Sequence, residues 1–534
     1  MSLLSLNSAD FKENLKLLTD AVKNLAPNSV FTLEKGTYTL GSDQSVDELN
    51  QLLEDKVPVR QNHDSYINGM KLENAAGITL DFGGATLVFK GFIEPIGLFG
   101  CKNITVKNLN IDFERPAFSE GIVLNARADC ATVKVFDAFP IKGNEPVVSF
   151  QSYDKDTGLL TGICPFVGVE NLELADEQTV KIISDQAKFL KSGDLISIRH
   201  SYGYRPGISL KECENITIDN VKISGLTGMG TVSYRSKNIY FHRYQVMPSQ
   251  NRLMSISADG IHLVSTSGEV IIDDCSFESM GDDAVNIHSY YYTAAEKLDE
   301  YTVRAYIEHS YDEGYRYEDF PSKGDLMEFV HADTLEILGE NTVKDIGYDS
   351  QTRESIIVFE SPVDEFDLKE ILLSNISKCP SVRMSSCNMY NIRGRAMLIQ
   401  TRNVLVEGNS FYHLTGHALH IDTAEPWMES ASAQNVVIRQ NRFKDCGHGA
   451  TGYSSSSGVT IETECRKKHP GIHKNILIED NLFIGGSKPV FDIHCASQVN
   501  IRNNTVLSGQ SLAEISHSDD VVFNDNIVTK DLIQ

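Results

Sequence analysis

Long apolar runs, paired cysteines and basic residues are scarce in this sequence. No run of about 18 apolar residues is present, so no membrane-spanning helix is predicted. The 10 cysteines are scattered without a C-x-x-C pair, which argues against a zinc site and against a disulfide scaffold. Because the N-terminus shows no basic segment followed by an apolar stretch, we expect a cytoplasmic protein, or a mature secreted or periplasmic form whose signal has been removed.

The deficit of basic residues narrows the range of partners. The chain has 73 acidic and 48 basic residues, and its formal net charge is −25. A polyanion would meet a repulsive field, so neither nucleic acid nor a membrane surface is expected as a partner. Substrates should be neutral, or held by a local basic cluster. Assembly into a homo-oligomer is left open.

The chain begins with a helical pattern and continues with short strands. Apolar residues recur at helical spacing over 8–25, which predicts one amphipathic helix capped near Ser8. Further on, the pattern apolar-x-apolar-x-x-Asn-x-apolar recurs, and Asn481, Asn504 and Asn526 follow one another about every 22 to 23 residues. Asparagine suits a tight turn, because its side chain can bond along a ladder and it tolerates a left-handed backbone.

A repeat of this length made of short strands is typical of a solenoid, in which each coil buries its apolar face against its neighbours. We therefore predict an all-β fold, a right-handed parallel β-helix with an N-terminal helical cap. A multidomain antiparallel β protein with chance similarity between its segments is the alternative.

Two strand-rich segments lack the asparagine pattern and break the repeat. We interpret them as β-rich, barrel-like insertions, which tend to decorate the working face of a solenoid. The predicted organisation is a cap helix and first coils over 1–118, an insertion over 119–200, coils with acidic motifs over 201–289, a second insertion over 290–380, and C-terminal coils over 381–534.

The acidic motifs are Ser257-Ala-Asp-Gly-Ile-His and, one coil later, Met280-Gly-Asp-Asp-Ala-Val-Asn-Ile-His. Strands of one sheet lie about 4.8 Å apart, so stacked coils should make Asp259 and Asp283 neighbours, with Asp282 beside them. Aligning the apolar positions predicts an inner column of Asp259, Asp283, Arg395 and His417. The outward column then contains His262, Asn286, Leu398 and His420, with His288 and Asp422 beyond.

Three close carboxylates suit acid–base chemistry. They cannot all ionise freely, so one should hold a proton near neutral pH while Arg395 keeps another ionised. One acid and one base are what hydrolysis of a glycosidic bond requires. Acidic residues in solenoid turns can instead be solvated or bind calcium, but three in phase beside His262, His288 and Arg395 favour catalysis.

The only tryptophan of the chain follows the acidic coils. Trp427 can stack on a sugar face while Glu429 or Glu425 binds hydroxyl groups. The alternative is that Trp427 only packs against the protein.

Closely spaced histidines raise the question of a metal site. His413, His417 and His420 lie on strands and turns, where this spacing does not converge on one ion as it would on a helix. His469 and His473 belong to a basic loop and are expected to be exposed. We therefore predict no metal and no other cofactor, and we interpret His417 as a pocket residue.

Taken together, the A-D-G-I-H and M-G-D-D-A-V-N-I-H motifs, Arg395-Ala-Met-Leu-Ile-Gln and Trp427-Met-Glu-Ser resemble glycoside hydrolase family 110. These are exo-acting α-1,3-galactosidases, including those that act on the blood-group B determinant. The resemblance covers most of the chain in layout. It implies that Asp259, Asp282 and Asp283 catalyse an inverting hydrolysis, with Asp282 as general acid and the other two activating water. The residues predicted to bind substrate are His262, Asn286, His288, Arg395, His417, Trp427 and Glu429.

The predicted function is release of terminal α-1,3-linked galactose from a carbohydrate substrate with inversion. Another β-helix polysaccharide hydrolase or lyase, polygalacturonase-like, and a non-catalytic carbohydrate-binding β-helix are the alternatives. A uronate substrate needs a basic subsite, and lyases usually combine a Lys or Arg base with calcium. One arginine among carboxylates favours a neutral sugar.

Overall fold

The computed structural model describes residues 3–6, 9–54, 68–143, 145–164, 169–200, 205–249, 251–308, 314–449, 455–486, 488–507 and 509–529. Within these ranges the chain winds into coils whose strands pair in parallel with the coils before and after them. Three ladders of parallel strands result, and they enclose one apolar core. The predicted parallel β-helix is therefore present.

The first and second ladders share three long strands that bend from one into the other. The first ladder contains Leu3–Leu4, Val30–Leu33, Thr79–Lys90, Lys102–Phe113, Glu214–Ile223, Lys237–His242, Ser267–Asp273, Ser381–Ser385, Arg402–Glu407, Gln434–Arg439, His473–Glu479, Ala496–Arg502 and Val521–Asn524. The second contains Thr37–Gly41, Gln245–Val246, Ser276–Glu278, Asn388–Tyr390, Ser410–Tyr412, Arg442–Lys444, Leu482–Ile484, Thr505–Leu507 and Ile527–Thr529, together with the ends of the three long strands.

The third ladder includes the strands that follow the acidic motifs. Its members are Asn68–Glu73, Glu94–Phe99, Ile208–Lys211, Thr231–Tyr234, Ile261–Val264, the start of Val285–Asp299, Met397–Ile399, Leu419–Ile421, Val459–Ile461, Phe491–His494 and Ala513–Ser516. A short strand, Glu429–Ser430, pairs antiparallel with Ser289 and Tyr290.

The repeated asparagines bond from coil to coil, as the sequence predicts. The side-chain oxygen of Asn441 accepts from the backbone N–H of Asn409, and Asn481, Asn504 and Asn526 continue the chain at 2.9 to 3.0 Å. These asparagines are largely buried, so the ladder satisfies backbone groups that water cannot reach. The left-handed conformation falls on the residue before each asparagine, for example Asp480 at φ 56°.

Two helices cover the N-terminal end of the solenoid. The predicted helix is α1, Phe11–Lys23; Ser8 lies outside the described residues, and Asp10 caps α1 by accepting from the Lys12 N–H at 2.9 Å. Leu18 and Val22 of α1 are fully buried in the core. A second helix, α2, Asp43–Leu53, was not predicted; it starts with a capping box in which Ser45 stands where Glu or Gln is the usual signal. No described helix is long and apolar enough to cross a membrane.

Both predicted insertion segments contain an antiparallel sheet of their own. In the first, six strands run in the order Ser149–Tyr153, Leu195–Arg199, Phe118–Ala126, Cys130–Val135, Thr179–Ser184, Val169–Asp176, with a 3-10 helix at Asp185–Phe189. In the second, the pairings close into a ring: Val285–Asp299, Thr302–Tyr306, Glu354–Phe359, Ile337–Asp349, Leu326–His331, Ile371–Asn375 and back, with 3-10 helices at Leu368–Glu370 and Ile376–Lys378. Each sheet has its own apolar cluster.

Candidate active site

The register of the third ladder brings the acidic motifs together. Ile261 pairs with Val285, Val285 with Met397, and Met397 with Leu419. The predicted alignment of the coils is thus confirmed, including the outward column in which His262 lies beside Asn286. Carboxylate oxygens of Asp259, Asp282 and Asp283 lie within 4.8 Å of one another.

Asp283 and Arg395 form a buried ion pair, as predicted. The Nη2 and Nε groups of Arg395 donate to Asp283 Oδ2 at 2.7 and 3.1 Å, and the Arg395 backbone N–H donates to Oδ1 at 2.9 Å. Arg395 also donates through Nη1 to His420 Nδ1 at 2.9 Å. Since both oxygens of Asp283 accept from Arg395, this carboxylate is fixed in one orientation.

Asp282 is more exposed than Asp283, with 19% of its side chain accessible. Burial raises its pKa to about 7, although the charge of Arg393, whose Nη1 lies 3.6 Å from Asp282 Oδ1, opposes this shift. Arg199 opposes it as well. The nearby carboxylates Asp259 and Asp283 raise the pKa further. A carboxyl group with this pKa is a competent general acid near neutral pH.

Asp259 belongs to a chain of hydrogen bonds with two histidines. Its Oδ2 lies 2.7 Å from His262 Nδ1, and His262 Nε2 lies 3.1 Å from His288 Nε2. His288 Nδ1 donates to the carbonyl of Ser289 at 2.9 Å. Burial raises the pKa of Asp259, against the opposing effect of His262. Burial lowers the pKa of His262, but the bond to Asp259 and the surrounding negative charges outweigh it, so the net shift is upward.

The other predicted substrate-binding residues differ in burial and in their contacts. Asn286 is buried in the outward column, and His417 packs edge-on against His420 with ring centroids 4.5 Å apart. Glu429 Oε1 lies 3.8 Å from His288 Nε2, so this carboxylate borders the site. Trp427 is 38% exposed in the turn between Ala424 and Glu429, and its sugar contact stays a prediction.

Sequence reasoning missed two arginines beside Asp282. Arg393 Nη1 donates to the carbonyl of Gly281 at 3.0 Å, and Arg199 of the first insertion donates to the same carbonyl at 3.5 Å. The stacking of coils predicts the position of Arg393 when it is extended by two residues. Arg395 stacks on Asp283 and Gly394 on Asp282, so Arg393 stacks on Gly281. No sequence pattern indicates the position of Arg199, because the first insertion does not follow the repeat.

The three aspartates are spaced closely enough to surround a cation, yet each of them already has a protein partner. Arg395 pairs with Asp283, His262 pairs with Asp259, and Arg393 Nη1 lies 3.6 Å from Asp282 Oδ1. We therefore assign no metal site here. Neither loop histidine is exposed as expected. His469 is half-buried. His473 is fully buried, with its ring held between the Ala433 N–H and the Glu462 carbonyl, so the expectation of exposed histidines was wrong.

Comparison with known proteins finds relatives over most of the chain. A family model described as a right-handed β-helix region matches residues 371–473. Alpha-1,3-galactosidase A of Bacteroides fragilis is 27% identical over 473 residues, which cover 84% of this chain and 76% of the relative. Alpha-1,3-galactosidase B of Phocaeicola vulgatus is 27% identical over 560 residues, which cover 95% of this chain and 91% of the relative. The chain is a homologue of the α-1,3-galactosidases.

The resemblance to glycoside hydrolase family 110 predicted from the motifs is thereby confirmed. Two solved structures overlap with this chain at low similarity. They are a mannuronan C-5 epimerase A-module of Azotobacter vinelandii, with 8% identity, TM-score 0.40 and 97% and 96% of the two chains covered, and a family 28 exopolygalacturonase of Yersinia enterocolitica, with 11% identity, TM-score 0.40 and 99% and 79% covered. The right-handed β-helix prediction is confirmed by the family model together with the three parallel ladders.

Proposed function

We propose that this protein is a glycoside hydrolase that removes terminal α-1,3-linked galactose. The observation that carries the proposal is the unequal setting of Asp282 and Asp259, two carboxyl groups within 4.8 Å. Burial raises the pKa of Asp282 to about 7, which suits proton donation near neutral pH, while Asp259 accepts a hydrogen bond from His262. An acid and a base with separated tasks are what glycoside hydrolysis needs.

In the proposed reaction, the oxygen of a water molecule bonds to the anomeric carbon as the glycosidic C–O bond breaks. Asp282 gives its proton to the leaving oxygen, which keeps the electron pair of the broken bond. A carboxylate of the pair Asp259 and Asp283 takes a proton from the water. Asp283 is saturated by Arg395, which leaves Asp259 as the better placed base.

Inversion at the anomeric carbon is part of the proposal and rests on the family resemblance. Carboxyl groups of inverting enzymes usually lie about 6.5 to 9.5 Å apart, whereas retaining enzymes use about 5 to 5.5 Å. Oxygens of the three aspartates approach to within 4.8 Å, so the spacing does not itself support inversion. The water would have to enter beside Asp259 on the face of the sugar away from Asp282.

A neutral sugar fits the charges of the site. Arg395 is matched by Asp283. Burial lowers the pKa of His417 to about 3, so its imidazole adds no positive charge at neutral pH. A uronate would bring a further negative charge to a site that contains three aspartates and borders Glu429, which disfavours a polygalacturonase-like activity.

Exo action is supported by the two insertions, which border the site. The first reaches it through Arg199 and through Leu160, whose N–H donates to Asn391 Oδ1 at 2.7 Å. The second places Tyr317 against Tyr290, with ring centroids 5.7 Å apart. Contributions from both insertions next to the acidic coils suit a pocket for a chain end better than an open groove for a polymer.

The test is sugar release from an array of α-galactosyl oligosaccharides, with the anomer followed by proton NMR. We expect free galactose, with β-galactose as the first product. An α-galactose first product would refute inversion alone. Release of internal fragments would refute exo action, and no cleavage of any galactoside, with binding retained, would favour the carbohydrate-binding alternative.

A further inference from the structure

The hydrogen-bond chain at Asp259 has a definite proton order. The Ser289 carbonyl can only accept, so His288 Nδ1 carries a hydrogen. Burial first, and the charge of His262 next, lower the pKa of His288 to about 3, so its Nε2 is a lone-pair acceptor. His262 Nε2 must then donate to it across the 3.1 Å contact. The tautomer of His262 is therefore fixed from one side.

The fixed tautomer decides what His262 does at its other nitrogen. With Nε2 protonated, His262 Nδ1 shares a second proton with Asp259 Oδ2 over 2.7 Å. The groups facing His262 are Asp259, His288, Glu429 and Asp283, so negative charge predominates around it. Both ring nitrogens of His262 have hydrogen-bond partners in the protein, so a sugar hydroxyl could bind His262 only by replacing one of these partners.

We propose that His262 is a positioning residue, anchored by His288, that holds Asp259 ionised and aims its free oxygen at the attacking water. Oδ2 is committed to His262, so the proton released by water goes to Oδ1. This assignment makes Asp259 the base rather than Asp283. The positioning role of His262 differs from the substrate-binding role predicted from sequence. Only its kinetic consequences rest on the proposed hydrolysis.

The surroundings of Asp259 explain why such a residue is needed. Asp283 faces Asp259 with like charge, and Arg395 opposes it from its bond with Asp283. The carboxyl group of Asp282 also lies within 4.8 Å. Asp259 is also buried, which favours its protonated form. Without an imidazolium at Oδ2, the carboxyl group would keep its proton to a higher pH and lose one fixed orientation.

Kinetic variants distinguish positioning from substrate binding. We expect His262→Leu to lower kcat about 100-fold, with KM changed less than about 2-fold, and to move the acidic limb of kcat/KM to higher pH. His262→Asn retains a donor near the Nδ1 position and should recover about 10-fold of that loss. A raised KM with unchanged kcat and an unmoved limb would overturn the proposal in favour of direct sugar contact.

A matched control is available on the outer face of the first ladder. His242 Nδ1 lies 3.2 Å from Asp273 Oδ2, a histidine–aspartate pair remote from the acidic motifs. His242→Leu should leave kcat, KM and both limbs unchanged. Near-ultraviolet circular dichroism of all variants verifies folding, and His262→Asn decides the outcome if His262→Leu does not fold.

Histidine NMR tests the proposal without any substrate. In protein labelled at histidine carbon and nitrogen, His262, assigned by its loss in His262→Asn, should be doubly protonated at pH 7 and titrate above the ordinary value of about 6.5. In Asp259→Asn its pKa should fall by about 1 unit or more. A neutral His262 at pH 7, or the same pKa in both proteins, would overturn the proposal. This result stands even if no galactoside is cleaved, which would refute the proposed function instead.

Discussion

The protonation of Asp282 should depend on Arg393, and the Arg393→Met variant tests this. The guanidinium lies 3.6 Å from the Asp282 carboxylate and stabilises its charged form. Two unit charges at about 4 Å interact by about 4 kcal/mol at an effective dielectric constant of about 20. Because 19% of the Asp282 side chain is accessible and Arg199 is also near, solvent and the second cation reduce the loss. We expect the pKa of Asp282 to rise by about 1 to 2 units, at 1.36 kcal/mol per unit.

The assay is kcat/KM for an α-galactoside across the pH range. General acid catalysis needs protonated Asp282, so activity should fall as pH rises through about 7 in the native protein. In Arg393→Met this basic limb should move to about pH 8 or above. Arg383→Met is the matched control, because Arg383 pairs with Glu407 on the outer face of the solenoid with 55% of its side chain exposed. A basic limb that stays in place in Arg393→Met would refute the assignment of Asp282 as the acid.

Three further changes have expected outcomes. Asp282→Asn should lower kcat about 10²- to 10⁴-fold on oligosaccharides, measured by product chromatography. The loss should be much smaller on nitrophenyl α-galactoside, measured by absorbance, because its leaving group needs little protonation. Equal losses on the two substrates would contradict the role of Asp282 as the acid. Arg395→Leu leaves Asp283 buried and unpaired, so urea titration should show a free energy of unfolding lower by about 3 to 5 kcal/mol. Adding Asp283→Leu should largely restore this free energy. A double variant that is no more stable than Arg395→Leu would argue against the ion pair. Asn504→Ala should cost about 2 kcal/mol by the same titration, whereas the exposed Asn524→Ala should change it by less than about 0.5 kcal/mol.

The repeat made the fold and the centre of the site predictable. A parallel ladder keeps register from coil to coil, so aligned apolar positions carry their neighbours with them, and Asp259, Asp283 and Arg395 fall into one column. The ion pair of Asp283 and Arg395 follows from that column, and the expectation that one of the close carboxyl groups has a raised pKa follows from it as well.

Features outside the repeat were not predictable in the same way. Helix α2 lacks the acidic signal that usually marks a capping box, and its amphipathic pattern is short. Arg199 comes from an insertion whose docking is decided by tertiary contacts, and no periodicity relates it to Gly281. The tautomer of His262 depends on a backbone carbonyl next to His288, which sequence spacing does not reveal.

Each insertion also lies between two coils whose strands pair directly with each other, and this affects how the site is assembled. Ile96 pairs with Ile208 across the first insertion, and Val285 pairs with Met397 across the second. Asp283 and Arg395 are separated by 112 residues along the chain. Bringing such distant segments together costs more entropy than adding a coil of about 22 residues, and non-local contacts form slowly. The ion pair of Asp283 and Arg395 can therefore form only when the two ends of the second insertion have been brought together.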